Sequence, residues 1–268
     1  MDTGLSGKHI VITGASGGIG VKCVKMFLAE GAKVTATFNT SKRELDSLQE
    51  TNQDQLLLVK VDQTIEREVE DLFIQANARF GRVDVLVANA GIANREGQAI
   101  QDMTLKQWEK TISVNLTGAF LMAKHFFTNL ERHRSDSASL ILVGSTAGFF
   151  GEAWYSDYAT SKAGMHGLML SLKNEIPHIA PKGRVNIVNP GWTLTPMAED
   201  ALTDKEMVTR ILQTIPMRKT AIPQDIASAI LYLASDVLSG HVSGQTINVA
   251  GGMEGRVLFT PGEIDSPE

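Results

Sequence analysis

An open, doubly wound α/β sheet is the fold class this chain predicts, on three observations. Short apolar, β-branched runs recur at 9–13, 33–38, 56–61, 83–88, 139–143, 184–188 and 245–249. They are continuous rather than alternating, which suits strands buried on both faces of a parallel sheet. Amphipathic stretches near 18–30, 42–50, 65–80, 104–131, 156–177 and 224–235 separate them, and strand–helix alternation of this kind winds helices onto both faces of one sheet of about seven strands. No linker, repeat or low-complexity segment intervenes, so residues 1–268 read as one domain. The stretch 192–222 carries Thr195-Pro196 and Ile215-Pro216 and reads as a helical lid inserted between the last two strands. Residues 254–268 form a C-terminal tail, with Pro261 to Glu268 expected to be loosely held.

Composition narrows the function classes. The chain has 268 residues, 43% of them hydrophobic, which suffices for one large core or two small ones. A formal net charge of -5, spread along the chain, argues against nucleic acid or an anionic membrane as partner. The apolar runs fall short of the roughly 20 residues of a membrane helix. The start, Met1-Asp2-Thr3-Gly4-Leu5-Ser6, has neither the basic nor the apolar region of a signal peptide. The single cysteine, Cys23, excludes an internal disulfide and a cysteine-based zinc site, and it reads as a small buried residue of the first helix. No metal site is expected. The expectation is a soluble cytoplasmic protein.

The first strand runs into Thr13-Gly14-Ala15-Ser16-Gly17-Gly18-Ile19-Gly20. A turn at the carboxyl end of a strand that opens a helix presents unpaired backbone N–H groups at the positive end of the helix dipole, which is an anion site. Glycines let that backbone approach a diphosphate without a Cβ between them. The spacing is Gly14-x-x-x-Gly18-x-Gly20. A tight turn with no ligand is the alternative, and the strand–helix setting favours the phosphate seat.

The fifth strand ends at Ser145, at the carboxyl edge where open α/β sheets bind ligands. Thirteen residues on, Tyr158-Ala159-Thr160-Ser161-Lys162 begins a helix, with Ser156 or Asp157 as N-cap. Tyr158 and Lys162 are four apart and share a helical face. An ammonium close to a phenol lowers the phenol's pKa towards the range a general acid/base needs. Tyr-x-x-x-Lys alone is more often an ordinary helix surface; its occurrence with Ser145 and the glycine turn reverses that balance.

With these pieces, the chain resembles the short-chain dehydrogenases/reductases, from about residue 5 to 253. The matching motifs are Thr13-Gly14-x-x-x-Gly18-x-Gly20, Asp62 after the third strand, Asn89-Ala90-Gly91 after the fourth and Asn115 in the fourth long helix. Ser145, Tyr158-x-x-x-Lys162 and Pro190-Gly191-x-Thr193-x-Thr195 complete the set, and the glycine spacing and length match the family's compact branch. The resemblance implies a Rossmann-type sheet and an NAD(P)-dependent oxidoreductase that interconverts a carbonyl and a secondary alcohol. Tyr158 would exchange the proton with the substrate oxygen, Ser145 would hold that oxygen, and Lys162 would tune Tyr158 and bind the nicotinamide ribose. Asn115 would distort its helix and hold a water linking Lys162 to solvent. Gly14, Ser16, Gly18, Ile19 and Gly20 would line the diphosphate. Asp62 and Gln63 would meet the adenine, Asn89 and Gly91 the adenosine ribose side, and Pro190, Gly191, Thr193 and Thr195 the carboxamide and diphosphate. Asp62, Asn89, Asn115 and the two threonines each have a purely structural alternative as turn, loop or buried helix residues.

The second strand ends Phe38-Asn39-Thr40-Ser41-Lys42-Arg43. Phe38 stands where the family's usual carboxylate would hold the ribose 2′- and 3′-hydroxyls. Asn39, Thr40 and Ser41 offer neutral donors, and Lys42 and Arg43 offer positive charge, so NADP(H) is favoured over NAD(H). Against this, the glycine turn carries Gly17 where some NADP-preferring relatives carry a basic residue, and Lys42 and Arg43 read equally well as a solvated first turn. On the substrate side the candidates are Phe149, Phe150, Glu152, Trp154 and Tyr155 before Tyr158, Trp192, Leu194 and Met197 after Gly191, and Ala93 to Glu96 as one wall; the aromatics could instead pack in the core or at a subunit contact. The resemblance also implies a homotetramer, or a homodimer, built on helices 104–131 and 156–177 through outer faces that include Phe120, Lys124, Phe127, Met165 and Met169. A carbonyl or 3-oxoacyl-thioester reductase leads. A sugar or polyol dehydrogenase of the glucose 1-dehydrogenase type, and a non-catalytic NADP(H)-sensing regulator, are the alternatives.

Overall fold

The computed structural model describes residues 2–42, 44–198 and 203–264; Arg43, residues 199–202 of the lid stretch and 265–268 of the tail lie outside the described residues. The seven apolar runs become strands β1 His9–Ile12, β2 Lys33–Phe38, β3 Leu56–Lys60, β4 Val85–Ala88, β5 Ser139–Val143, β6 Arg184–Pro190 and β7 Thr246–Val249. All pair in parallel, in the order β3-β2-β1-β4-β5-β6-β7. Every residue of β1, β4 and β5 is buried, as continuous apolar runs require when helices cover both faces.

Among the described residues the α-helices are α1 Gly18–Ala29, α2 Leu45–Thr51, α3 Glu66–Phe80, α4 Leu105–Ile112, α5 Gly118–Arg132, α6 Ala147–Phe150, α7 Ser156–Glu175, α8 Lys205–Leu212, α9 Pro223–Ala234 and α10 Asp236–Ser239. Two apolar layers sandwich the sheet. One holds Leu72, Phe73, Phe126, Leu130, Met165 and Met169; the other holds Val24, Phe27, Ile226 and Ile230. β1 and β4 are neighbours, but the chain leaves β1 towards β2 and leaves β4 towards β5. Their carboxyl ends therefore open into a crevice, where a sheet of this kind receives a ligand.

The structure corrects four local expectations. The stretch 104–131 is not one regular helix: a π-helical turn, Ser113–Thr117, joins α4 to α5. The helix bearing Tyr158 is capped by neither Ser156 nor Asp157; Tyr155 takes the N-cap position without a side-chain cap, and Asp157 is buried inside the first turn. Met165 and Met169 do not face outward. They continue the stripe Tyr158, Lys162, Met165, Met169, Leu172, whose alternating four- and three-residue steps keep one helical face against the sheet. The tail is tied down as far as Ile264. Gln213 Nε2 donates to the Phe259 carbonyl at 2.8 Å, Leu258 N–H donates to the Gln213 carbonyl at 2.8 Å, and Ile264 packs with Val208, Ile211, Leu212 and Ile215.

Candidate active site

The glycine turn is built as a cradle. Gly14 has φ +59°, and a Cβ there would lie 2.7 Å from Ala90 Cα. Gly17 caps α1 in an extended conformation (φ -77°, ψ 164°) without a side-chain cap. Among the described residues, no protein group accepts from the first-turn N–H groups of Gly18, Ile19 and Gly20. These donors, at the positive end of a helix, suit a diphosphate. Ser16 lies at the lip of the turn, and Thr195 closes over it: a Cβ on Gly18 would lie 2.9 Å from Thr195 Cγ2. Thr193 is buried, and its hydroxyl donates to the Gly191 carbonyl at 2.8 Å, so that side chain holds its own turn. Pro190 ends β6, and its carbonyl accepts from Thr146 N–H at 3.0 Å.

Asn89 and Thr13 fix the cradle to the other lip of the crevice. Asn89 Nδ2 donates to the Thr13 and Gly14 carbonyls at 2.9 and 3.1 Å. Thr13 Oγ1 accepts from the Asn89 and Ala90 N–H groups at 3.0 and 2.8 Å. The structural alternative for Asn89 is thus observed directly.

At the end of β2, Asn39, Thr40 and Ser41 are exposed. Lys42 Nζ lies 5.5 Å from the Phe38 ring centroid and 3.2 Å from Asp46. Asp62 Oδ1 accepts from Thr64 N–H and Oγ1 at 2.9 and 2.7 Å, and these bonds, with one to the Asn39 side chain, hold its carboxyl below the usual range. Gln63 turns inward: its Nε2 donates to the Val114 carbonyl at 2.8 Å and, at 3.4 Å, to that of Ala90. Its side chain therefore braces the π turn.

Ser145, Tyr158 and Lys162 converge at the carboxyl edge of β5. The Ser145 hydroxyl lies near enough to the Tyr158 phenol to draw its pKa down. Lys162 Nζ donates to the Val143 carbonyl at 2.8 Å and lies 5.7 Å from the Tyr158 ring centroid. It also lies 3.2 Å from where a Gly91 Cβ would be, so a glycine there leaves the ammonium room. The expected lowering of the tyrosine pKa is not what this arrangement gives: burial pushes the phenol up, and the Ser145 hydroxyl opposes it only in part. Burial also pulls the Lys162 ammonium down to about 8. Desolvation disfavours the charged form of each group, which moves an acid up and a cation down.

Asn115 is fully buried in the π turn. Its Oδ1 accepts from Ile92 N–H at 2.8 Å, and its Nδ2 donates to the Ile92 carbonyl at 2.9 Å and to Ser161 Oγ at 3.0 Å. The local distortion expected of this residue is present, since π turns accommodate one extra residue within a helix. Sequence reasoning missed the bracing roles of Thr13, Ser161 and Asp157. The four-residue spacing of Asp157 and Ser161 was the available signal.

At the substrate side, Glu152 and Trp154 are exposed, Trp154 having φ +71°, and its carbonyl accepts from Gln98 N–H at 2.7 Å. Phe149 and Phe150 pack edge to face at 5.0 Å and remain on the surface, which removes the core reading for these aromatics. Tyr155 Oη donates to the Arg95 carbonyl at 3.4 Å. Burial pushes the Tyr155 phenol up, and the Glu152 and Glu96 carboxylates add to this. Trp192 packs against Val208, Ile211, Leu212 and Ile215, the apolar cluster on α8 and just after it.

Residues 14–254 match a family model described as enoyl-(acyl carrier protein) reductase. The 3-oxoacyl-[acyl-carrier-protein] reductase FabG of Thermotoga maritima is 36% identical over 255 residues, covering 93% of this chain and 98% of that protein. The protein of the same name from Escherichia coli is 34% identical over 250 residues, covering 92% and 97%. A crystal structure from Brucella melitensis, described as short-chain dehydrogenase/reductase SDR:glucose/ribitol dehydrogenase, superposes with a TM-score of 0.84 at 31% identity, covering 94% of this chain and 98% of that one.

The cradle can be tested by itself. Gly14→Val places a β-branched residue at positive φ against Ala90, a strain of about 1–3 kcal/mol that the bound conformation must carry. Dinucleotide affinity, followed by fluorescence titration, is expected to fall about tenfold or more; unchanged affinity would show that this turn does not seat the ligand.

Proposed function

The chain belongs to the short-chain dehydrogenase/reductase family and is an NAD(P)-dependent oxidoreductase, and from that membership we propose that it reduces a carbonyl to a secondary alcohol as a 3-oxoacyl-thioester type reductase. The observation that carries this reading is the meeting of Ser145, Tyr158 and Lys162 at the carboxyl edge of β5. The names of the curated relatives supply the substrate class. In our reading the dinucleotide lies with its diphosphate on Gly14, Ser16, Gly18, Ile19 and Gly20, its adenosine towards Asn39, Thr40, Ser41, Asp62 and the Asn89–Gly91 turn, and its nicotinamide towards Pro190, Gly191, Thr193 and Thr195. The bound nicotinamide supplies or accepts the hydride.

The chain's own residues handle the proton. Burial keeps the Tyr158 phenol protonated at neutral pH, the state a general acid for carbonyl reduction needs. The Ser145 hydroxyl holds the substrate oxygen beside that phenol. As the proton leaves, negative charge grows on Tyr158, where the Ser145 hydroxyl and the Lys162 ammonium oppose it.

NADP(H) is our proposed preference. Phe38 leaves no carboxylate to repel a 2′-phosphate, and Lys42 is close by. Its pairing with Asp46 is a solvent-exposed i,i+4 contact, worth about 0–1 kcal/mol, which a phosphate displaces readily. A sugar or polyol dehydrogenase is the second reading, on the naming of the Brucella protein as a glucose/ribitol dehydrogenase. We further propose one domain with 192–222 as substrate lid and 254–268 completing it, a cytoplasmic location and a homotetramer built on α5 and α7. Phe120 (46% exposed) and Leu170 (43%) are available on their outer faces in place of Met165 and Met169. Light scattering is expected to give a particle four times the 29.0 kDa chain; a monomer would remove this proposal.

The function is tested by a panel of 3-oxoacyl thioesters, simple ketones, sugars and polyols with both dinucleotides. The highest kcat/KM is expected for a 3-oxoacyl thioester with NADPH. Tyr158→Phe is expected to lower kcat by about 10²–10⁴-fold with dinucleotide affinity unchanged. Wild-type protein that binds dinucleotide yet turns over nothing would favour the sensor instead. The pH dependence follows from Lys162. Its ammonium is present below about pH 8 and is lost above it, so kcat/KM for reduction should hold through neutrality and decline beyond that value. A profile flat to pH 10 would remove the lysine's charge from the mechanism.

A further inference from the structure

Beside the stripe that carries Tyr158 and Lys162, α7 presents a second one: Asp157, Ser161, Gly164. It faces α4 and the π turn, where Thr111 and Asn115 are likewise four residues apart. The two faces meet in matched rungs. Thr111 Oγ1 donates to Asp157 Oδ2 at 2.8 Å, and Asn115 Nδ2 donates to Ser161 Oγ at 3.0 Å. Each rung also grips the loop that follows β4. Asn115 holds Ile92 through both backbone groups, and Asp157 Oδ2 accepts from Asn94 Nδ2 at 2.8 Å. Gln107 Nε2 approaches the same oxygen at 3.5 Å, and Tyr158 N–H donates to Oδ1 at 2.8 Å.

Asp157 is fully buried, and a buried carboxylate is costly unless its lone pairs are filled. Here they are filled by donors from three segments: α4, the loop after β4, and the tyrosine's own backbone. An acceptor-only group suits a point on which only donors converge. The first turn of α7 has no side-chain N-cap, so without this anchor the turn that carries Tyr158 would be free to fray.

We infer that Asp157 is a positioning residue for Tyr158, fixing the gap between the phenol and the loop after β4 that walls the substrate side. The inference rests on the reading of Tyr158 as proton donor, and it acts through Thr111, Asn94 and the Tyr158 backbone rather than through substrate.

The test compares Asp157→Ala, Asp157→Asn and the milder Thr111→Val in the full-length protein. Removing the anchor displaces the acid relative to the carbonyl, and misplacement of this kind costs about 100-fold. Asp157→Ala is therefore expected to lose about 100-fold in kcat/KM for the carbonyl, with dinucleotide affinity held within about twofold. Asp157→Asn keeps the shape and an acceptor for Tyr158 N–H but turns an amide donor towards Thr111 and Asn94, so it should recover only part of the loss; Thr111→Val should fall between Asp157→Ala and the wild type. Hydrogen exchange supplies a readout independent of turnover: amides of residues 92–98 should exchange faster in Asp157→Ala, while those of β5 do not. Wild-type kcat/KM in Asp157→Ala, loss shared equally by dinucleotide affinity, absence of rescue by Asn, or unchanged exchange at 92–98 would each overturn the inference. If the wild type turns over no carbonyl, the functional reading fails, and the exchange comparison still decides whether Asp157 holds the loop. Should Asp157→Ala not fold, Thr111→Val carries the same comparison.

Discussion

Where β1 and β4 part company, two loops must be held at a set distance while the amides between them stay unbonded. The Thr13–Asn89 clasp does this. Two N–H groups from the end of β4 converge on one hydroxyl, and one amide returns to two carbonyls of the glycine turn. All four bonds use groups other than the first-turn donors of α1, which are left for a ligand. Each bond is of ordinary strength, about 0.5–1.5 kcal/mol net. Their value is geometric, because the clasp couples the glycine turn to the loop that Asn115 and Asp157 hold from the other side.

This coupling explains how one chain serves both halves of a hydride-transfer reaction. In the proposed function the dinucleotide side would be backbone donors on a helix end, which need no titratable group. The proton side would be three side chains on one strand end and one helix face, where burial has moved the tyrosine and the lysine in opposite directions. A phenol that burial keeps protonated and an ammonium beside it divide the work: one holds the proton to be given, and the other opposes the charge left behind.

The strands and the long helices were legible because burial on both faces writes continuous apolar runs, and because the glycine turn, Ser145 and Tyr158-x-x-x-Lys162 are short motifs with local meaning. What was not legible depended on direction. Met165 and Met169 share a helical face with Tyr158 and Lys162, and apolar spacing alone does not say whether such a face meets a sheet or a second subunit. Asp157, next to a helix start, has the composition of a cap, and only tertiary donors reveal it as an anchor. The direction of the Tyr158 shift escapes the sequence for a related reason. Sequence shows which charges are near, but desolvation is set by everything else that packs around them. Lys42 illustrates a further limit, as a basic residue in a promising place rests on an aromatic ring and an aspartate.

The shared stripe of α7 also divides the molecule's freedom to change. Tyr158 and Lys162 stand on the same helical face as Met165 and Met169, both fully buried, so the acid moves only if the core moves with it. Close packing makes such movement costly. Adaptation to new substrates would then fall to segments without this anchorage, the exposed turn bearing Trp154 first among them. Chemistry is inherited with the core, while selectivity is carried on parts that can be exchanged without disturbing it.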